Sequence, residues 1–243
     1  MQGLNNPIGI KSLEPNQNPF IMNPYRFAGA NWDWEEDFNA TASPTWTEND
    51  SSAINVQDGT GNNRIDHVSK RDGTNNNAYV DVFGATVSDT AWIWRFHLHE
   101  TTFGNANAEI GICNESSGMI GYVDTTADWL GMSCTKTGTG VGSVYPAHAN
   151  GAIRTLGTSI KSISDGDDVY MEIIRQSATS LDTDNHTDST YGTDDGTQTT
   201  VISSGITGLR YIHCMDHGTS SAGGNHTVWW DDFFFNDGVT TPP

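Results

Sequence analysis

The sequence predicts an all-β protein, a two-sheet antiparallel β-sandwich behind an extended N-terminal arm. Three observations carry the prediction. Helix formers are scarce: Asp outnumbers Glu 22 to 8, and Thr, Asn, Ser and Gly crowd the 243 residues, all of them poor in helix interiors. Short segments with alternating Val, Ile, Tyr, Phe and Trp lie between turns rich in Gly, Asn, Asp and Thr, which is the pattern of half-buried strands. The segment AWIWRFHLHE (Ala91–Glu100) is the clearest case. Trp92, Trp94, Phe96 and Leu98 fall on one face, and Ile93, Arg95, His97 and His99 on the other, because successive strand side chains point to opposite sides.

Residues 1–30 hold four of the eight prolines, several Asn and almost no periodicity. Such a stretch buries no core of its own and reads as an extended arm. Its Phe20, Tyr25 and Phe27 are expected to anchor it on another chain. Strands are then expected at Trp34–Asn39, Ala53–Gln57, Arg64–Val68, Ala78–Phe83, Ala91–Glu100, Ala108–Asn114 and Met119–Asp124. Further strands follow at Trp129–Cys134, Ile153–Leu156, Asp168–Arg175, Thr199–Ile202, Leu209–Asp216 and Thr227–Asn236. The segment Thr179–Thr197 (TSLDTDNHTDSTYGTDDGT) reads as a long acidic loop, and residues 239–243 as a tail. Asp168–Arg175 repeats the two-faced division, with Val169, Met171 and Ile173 against Tyr170 and Glu172. About a dozen antiparallel strands favour two packed sheets over a small barrel. The expected core includes Phe38, Trp92, Trp94, Phe96, Met171 and Ile173.

Composition excludes several classes of function. With 11 Lys+Arg against 30 Asp+Glu, the net charge is −19. Nucleic-acid binding needs cations to neutralise phosphates, so no nucleic-acid partner is expected. Anionic lipid surfaces are disfavoured for the same reason, and no apolar run is long enough for membrane insertion as a helix. Cys113, Cys134 and Cys214 lack any zinc-type spacing and read as small buried apolar residues. The first residues lack the basic-then-apolar layout of a signal peptide. The acidic, Lys-poor composition nevertheless suits an extracellular setting, as do five Asn-x-Ser/Thr triplets starting at Asn39, Asn49, Asn114, Asn185 and Asn225. A virion protein released by lysis fits both observations.

The first and last strands, WEEDFN (Trp34–Asn39) and VWWDDFFFNDG (Val228–Gly238), bracket the domain. On those residues, residues 31–238 resemble the concanavalin A-like lectin/glucanase superfamily, a laminin-G-like jelly roll. The ending Trp230-Asp231-Asp232-Phe233-Phe234-Phe235-Asn236-Asp237 resembles that of such domains in phage and virus structural proteins, and Asn23-Pro24-Tyr25-Arg26-Phe27 ahead of the domain resembles the leader of tail or surface proteins from tailed viruses. The resemblance implies a jelly-roll sandwich whose first and last strands lie side by side. It also implies a place in a virion or other extracellular assembly.

Glucanases of that superfamily carry paired carboxylates in an E-x-D-x-x-E string, flanking the glycosidic bond. This sequence has no such string. Glu172 has no acidic neighbour on its own strand face, and alternation sends Asp231 and Asp232 to opposite faces. Catalysis is therefore not expected. His97 and His99 are spaced to share a metal, but Arg95 beside them disfavours a cation. A binding face is the better reading. Arg95, His97, His99, Tyr170 and Glu172 line one sheet, with Tyr211 and His213 as further candidates whose register is ambiguous. Asp182, Asp184 and Asp188, with Asp165, Asp167 and Asp168, cluster oxygen ligands that suit calcium, though neither group matches an EF-hand. The expected function is a non-enzymatic structural or surface protein of a virion or other extracellular assembly. Its expected partners are copies of itself, other assembly proteins and cell-surface glycans; a lectin-like carbohydrate-binding module is the alternative, and a glycan-processing enzyme has the least support.

Overall fold

Alternating apolar residues force each strand to choose a face, and the computed structural model shows that choice made in two stacked antiparallel sheets. The structure describes residues 32–39, 45–57, 59, 61–70, 76–116, 127–151, 154–217 and 225–243. The expected arm, with Phe20, Tyr25 and Phe27, and the expected strand Met119–Asp124 lie outside the described residues.

Sheet A contains β1 (Trp34–Glu36), β3 (Ile54–Val56), β4 (Ile65–Ser69), β6 (Trp92–Thr102), β12 (Asp168–Ser177), β13 (Ser180–His186), β14 (Asp194–Val201) and β16 (His226–Asp237). Its order is β14-β13-β12-β6-β16-β4-β3, with β1 also paired to β16. Sheet B contains β2 (Thr47–Glu48), β5 (Asn77–Val80), β7 (Asn107–Cys113), β8 (Asp128–Gly138), β9 (Val141–Asn150), β10 (Thr155–Leu156), β11 (Lys161–Ser164) and β15 (Tyr211–His217). Its order is β10-β9-β8-β7-β15-β5-β2, with β11 also on β9. First and last strands do lie side by side, Trp34 opposite Phe235 and Glu36 opposite Phe233.

The inward faces meet in one core. Trp92, Trp94, Phe96 and Leu98 of β6 are fully buried, as are Phe38, Met171 and Ile173. Phe233 is the centre of an aromatic group, with Phe38 and Trp94 set edge-on at 5.5 and 5.9 Å. Such edge contacts add to area burial because the ring edge is positive and its face negative. Two buried polar pairs lie within this interior. His67 of sheet A reaches Asp216 of sheet B at 2.7 Å, and the Trp230 indole N–H donates to His67 Nδ1 at 3.3 Å. His67 Nε2 therefore carries the proton and donates to Asp216. His226 Nε2 and Glu100 are similarly buried, 2.8 Å apart.

Three expectations are corrected. Thr179–Thr197 is not a loop but β13 and the first half of β14, joined by a turn. Its inward positions are Leu181, Thr183 and Asn185, so polar side chains hid a period-2 pattern. Val141–Asn150 is also a strand, hidden by Gly142, Pro146, Ala147 and Ala149, and the turn before it places Gly140 at φ +64°. The triplet at Asn185 cannot carry a glycan in the folded chain, since Asn185 is fully buried. Cys113 and Cys134 face opposite sides of sheet B, one among Trp129 and Met215 and the other in the main core, and all three cysteines are free thiols.

Candidate functional site

Cross-strand register builds the site on the outer face of sheet A, where three rungs of polar and aromatic side chains run across the strands. The first rung is Thr197, Asp184, Glu172, Arg95 and Phe234, from β14 through β13, β12 and β6 to β16. The second is Asp194, His186, Tyr170, His97 and Asp231. The third is Asp168, His99, Trp229 and Asp66. Directly opposed side chains on one face touch, so the register alone dictates the contacts that follow.

Rings form a ladder along these rungs. His97 stacks on Tyr170 at 4.5 Å and 10°, His99 stacks on Trp229 at 4.8 Å and 14°, and His97 meets Trp229 edge-on at 4.7 Å. Asp168 locks the two histidines: its Oδ1 accepts from His97 Nε2 at 2.9 Å and from His99 Nδ1 at 2.8 Å. Burial pushes the Asp168 carboxyl up, but these two hydrogen bonds outweigh it and hold the group below its ordinary value. Burial pulls His97 down, against the opposing hydrogen bond from Asp168. Arg64 lies over the Trp229 ring at 4.9 Å.

Arg95 and Glu172 form a buried ion pair at 2.5 Å, their side chains 11% and 8% exposed. The turn after β13 folds back over this pair. Tyr191, at φ +54°, sets its ring 4.5 Å from the Arg95 guanidinium and 5.2 Å from His186. Trp32 approaches Arg95 as well, at 5.5 Å.

Of the expected site residues, Arg95, His97, His99, Tyr170 and Glu172 thus stand together on one face, because they share two adjacent strands in register. Tyr211 and His213 do not join them. They lie on β15 in sheet B, where His213 stacks on Tyr79 at 5.2 Å, because a strand's sheet cannot be read from its own residues. Asp182 and Asp184 are strand residues beside Glu172, while Asp188 sits in the turn and accepts from Thr190 N at 2.9 Å. Among the described residues, no three or more His, Cys, Asp or Glu side chains are grouped to hold a metal ion.

Carboxylates do stand together on this face, at two places. Glu172 has Asp168 four residues before it on the same strand face, and a second acidic neighbour, Asp184, directly across the β12–β13 pair. The sequence concealed the second because cross-strand neighbours are distant in the chain. Asp231 and Asp232 also share the outer side. A bulge between Asp231 and Phe234 leaves Trp230 and Phe233 both fully buried with the two acids between them, Asp232 at φ +51°. An extra residue in one strand breaks alternation. Burial, then repulsion from Asp232, pushes Asp231 up to about 8. Burial, with repulsion from Glu172, Asp194 and Asp182, pushes Asp184 up to about 6.

These shifts predict a pH profile. A carboxyl raised in the folded state binds protons more tightly there than in the unfolded chain, so stability grows as pH falls through the raised value. Asp231 and Asp184 should therefore raise the melting temperature from pH 9 towards pH 6.5, and relief of the −19 net charge acts in the same direction. Burial lowers His97, His148 and His186, and takes His213 to about 4. A lowered histidine contributes stability that is lost as pH falls below its unfolded value, so the gain should stop near pH 6 and reverse below it. Melting curves from pH 4 to 9 check this. Asp231→Asn should flatten the rise between pH 9 and 7, and an unchanged rise would show that another group causes it.

Comparison with known proteins places the architecture. No family model matches the chain, and no curated protein matches its sequence. Solved structures do match in fold. The CBM2 module of Lactobacillus casei BL23 phage J-1 evolved Dit is 14% identical with a TM-score of 0.53, over 87% of this chain and 98% of that one. Alginate lyase Aly36B is 12% identical with a TM-score of 0.52, over 85% and 97%. A β-1,3-1,4-glucanase (lichenase) from a mouse hindgut metagenome is 8% identical with a TM-score of 0.52, over 84% and 98%. The chain is a jelly-roll β-sandwich similar to these. The same architecture carries a lyase and a glucanase, so the expectation that this chain is not an enzyme does not stand.

Proposed function

We propose that the chain binds carbohydrate through the outer face of sheet A, as a component of a virion or other extracellular assembly. One observation carries this reading: half-buried Tyr170, His97, His99 and Trp229 form a ring ladder flanked by Asp168, Asp184, Glu172, Asp231 and Arg95. Sugars present apolar C–H surfaces beside hydroxyls, so a site needs aromatic area with hydrogen-bonding groups at its margin. Likeness of fold to a phage carbohydrate-binding module supports the setting, as does the acidic, Lys-poor composition. Titration calorimetry of the full chain against a panel of polysaccharides tests the reading. Trp229→Ala and Tyr170→Ala are expected to weaken binding at least tenfold, and Tyr211→Ala on sheet B to leave it unchanged. Absence of any binding, or loss only in Tyr211→Ala, overturns it.

Glycan cleavage is a second reading, favoured by the adjacency of Asp184 and the ion-paired Glu172. Hydrolysis of a glycosidic bond uses one protonated acid beside a second carboxylate. Release of new reducing ends in the same incubations, abolished by Asp184→Asn, would support it; an inert wild-type protein would end it.

A further inference from the structure

We propose that the Asp184 end of this face recognises a positively charged amine on the glycan, an unacetylated amino sugar rather than a neutral one. The inference rests on the glycan-binding reading and names its ligand class. It starts from a group of buried polar atoms that have no hydrogen-bond partner among the described residues. They are Asp184 Oδ1, the Tyr191 hydroxyl and both ring nitrogens of His186. The His186 side chain is only 4% exposed; its Nδ1 lies 3.1 Å from Asp194 but out of line for a hydrogen bond. Unpaired buried polar groups are costly, and three such side chains on one outward face point to a ligand that satisfies them.

The chemistry of the group selects the ligand. Asp184, when ionised, is an acceptor only, while the neutral imidazole offers one acceptor nitrogen beside its N–H, and the tyrosyl oxygen can accept as well as donate. A primary ammonium supplies three donors, which can serve those acceptor atoms, with the carboxylate as its counter-charge. Charge points the same way. The cations on this face are already committed, Arg95 to Glu172 and Arg64 to Asp66 at 2.6 Å. Asp182, Asp184 and Asp194 remain as surplus negative charge on β13 and β14. Repulsion among them and from Glu172 adds to burial in holding the Asp184 proton, and a bound cation would release it. Arg95 opposes a cation but is screened from it by Glu172 and by the Tyr191 ring 4.5 Å away. Because these atoms are enclosed, the Tyr191 ring must shift as the ligand enters. It hangs on a turn whose Asp188–Thr190 hydrogen bonds are solvent-exposed, so it is the part of the site least held by the core.

The test compares two ligands with one backbone: a glucosamine oligomer and its fully N-acetylated form, titrated into the full chain at pH 6 and low salt. The free-amine oligomer is expected to bind at least tenfold tighter. Asp184→Asn, which keeps the shape of the side chain, should abolish that preference, and Tyr211→Ala, on sheet B, should keep it. Salt should weaken the free-amine complex selectively. Equal or tighter binding of the acetylated form overturns the amine inference while leaving the glycan reading in place. A preference that survives Asp184→Asn in a variant with unaltered melting also overturns it. Failure of every polysaccharide in the panel to bind defeats the glycan reading itself.

Discussion

Replacing Phe233 with alanine is expected to cost about 3–5 kcal/mol of folding stability, the range for removing a buried aromatic ring. Phe233 is fully buried and its ring lies within 5.5–6.1 Å of Phe38, Trp34, Trp46, Trp94 and Phe96. Those neighbours belong to β1, the segments around it, and β6, so the void cannot close by moving one strand. The lost ring also follows the bulge that places Asp231 and Asp232 outside, and the inward pull on Phe233 helps hold Asp232 at its positive φ. Denaturant titration should show the midpoint falling with little change in slope, and the melting temperature should drop by roughly 6–20 °C. Phe233→Leu should recover a large part of the loss. A Phe233→Ala cost under about 1 kcal/mol would mean that this ring is not central to the packing.

The second large effect is expected at Glu172. Glu172→Ala leaves the Arg95 guanidinium buried without its counter-charge, and breaking one side of a buried pair costs about 3–5 kcal/mol. The pair is 11% and 8% exposed, so solvent screens little of it. Glu172→Gln should cost less, because the amide oxygen can still accept from Arg95 Nε. Removing both partners, as Glu172→Ala with Arg95→Met, should be milder than Glu172→Ala alone, since no charge is then stranded. Chemical denaturation of the four proteins gives the coupling energy. Additive single effects would show that the two side chains do not depend on each other. Glu172→Ala should also let the Asp184 carboxyl fall from about 6 towards its ordinary value, because one of the charges repelling it is gone. Carboxyl titration followed by NMR would read that directly.

Much of the architecture was legible along the chain. In β6, Trp92, Trp94, Phe96 and Leu98 declared a buried face without any knowledge of the neighbours. β13 was not legible, because Leu181, Thr183 and Asn185 are inward but only one of them is apolar. Of the site, Arg95, His97, His99, Tyr170 and Glu172 could be grouped from two clear strands, whereas Tyr211 and His213 were misplaced onto the wrong sheet. Tyr191, Trp229 and His186 were missed as members of the candidate site, and Asp184 was read as a calcium ligand in a loop rather than as a neighbour of Glu172. The signal for Trp229 was present in its outward position next to buried Trp230, but nothing local marks Tyr191, whose place depends on how a turn folds back.

Composition and alternation by themselves determined that this chain folds as an antiparallel sandwich, and which side of each clear strand is buried. They could do so because burial is decided residue by residue, by the choice of strand face. Tertiary structure alone decided which acids stand beside which. Glu172 meets Asp184 across one strand pair, Arg95 across the other, and Asp231 and Asp232 share a face only through a bulge. Cross-strand register and bulges are set by the summed packing of two whole sheets, and electrostatics falls off with distance in space rather than along the chain.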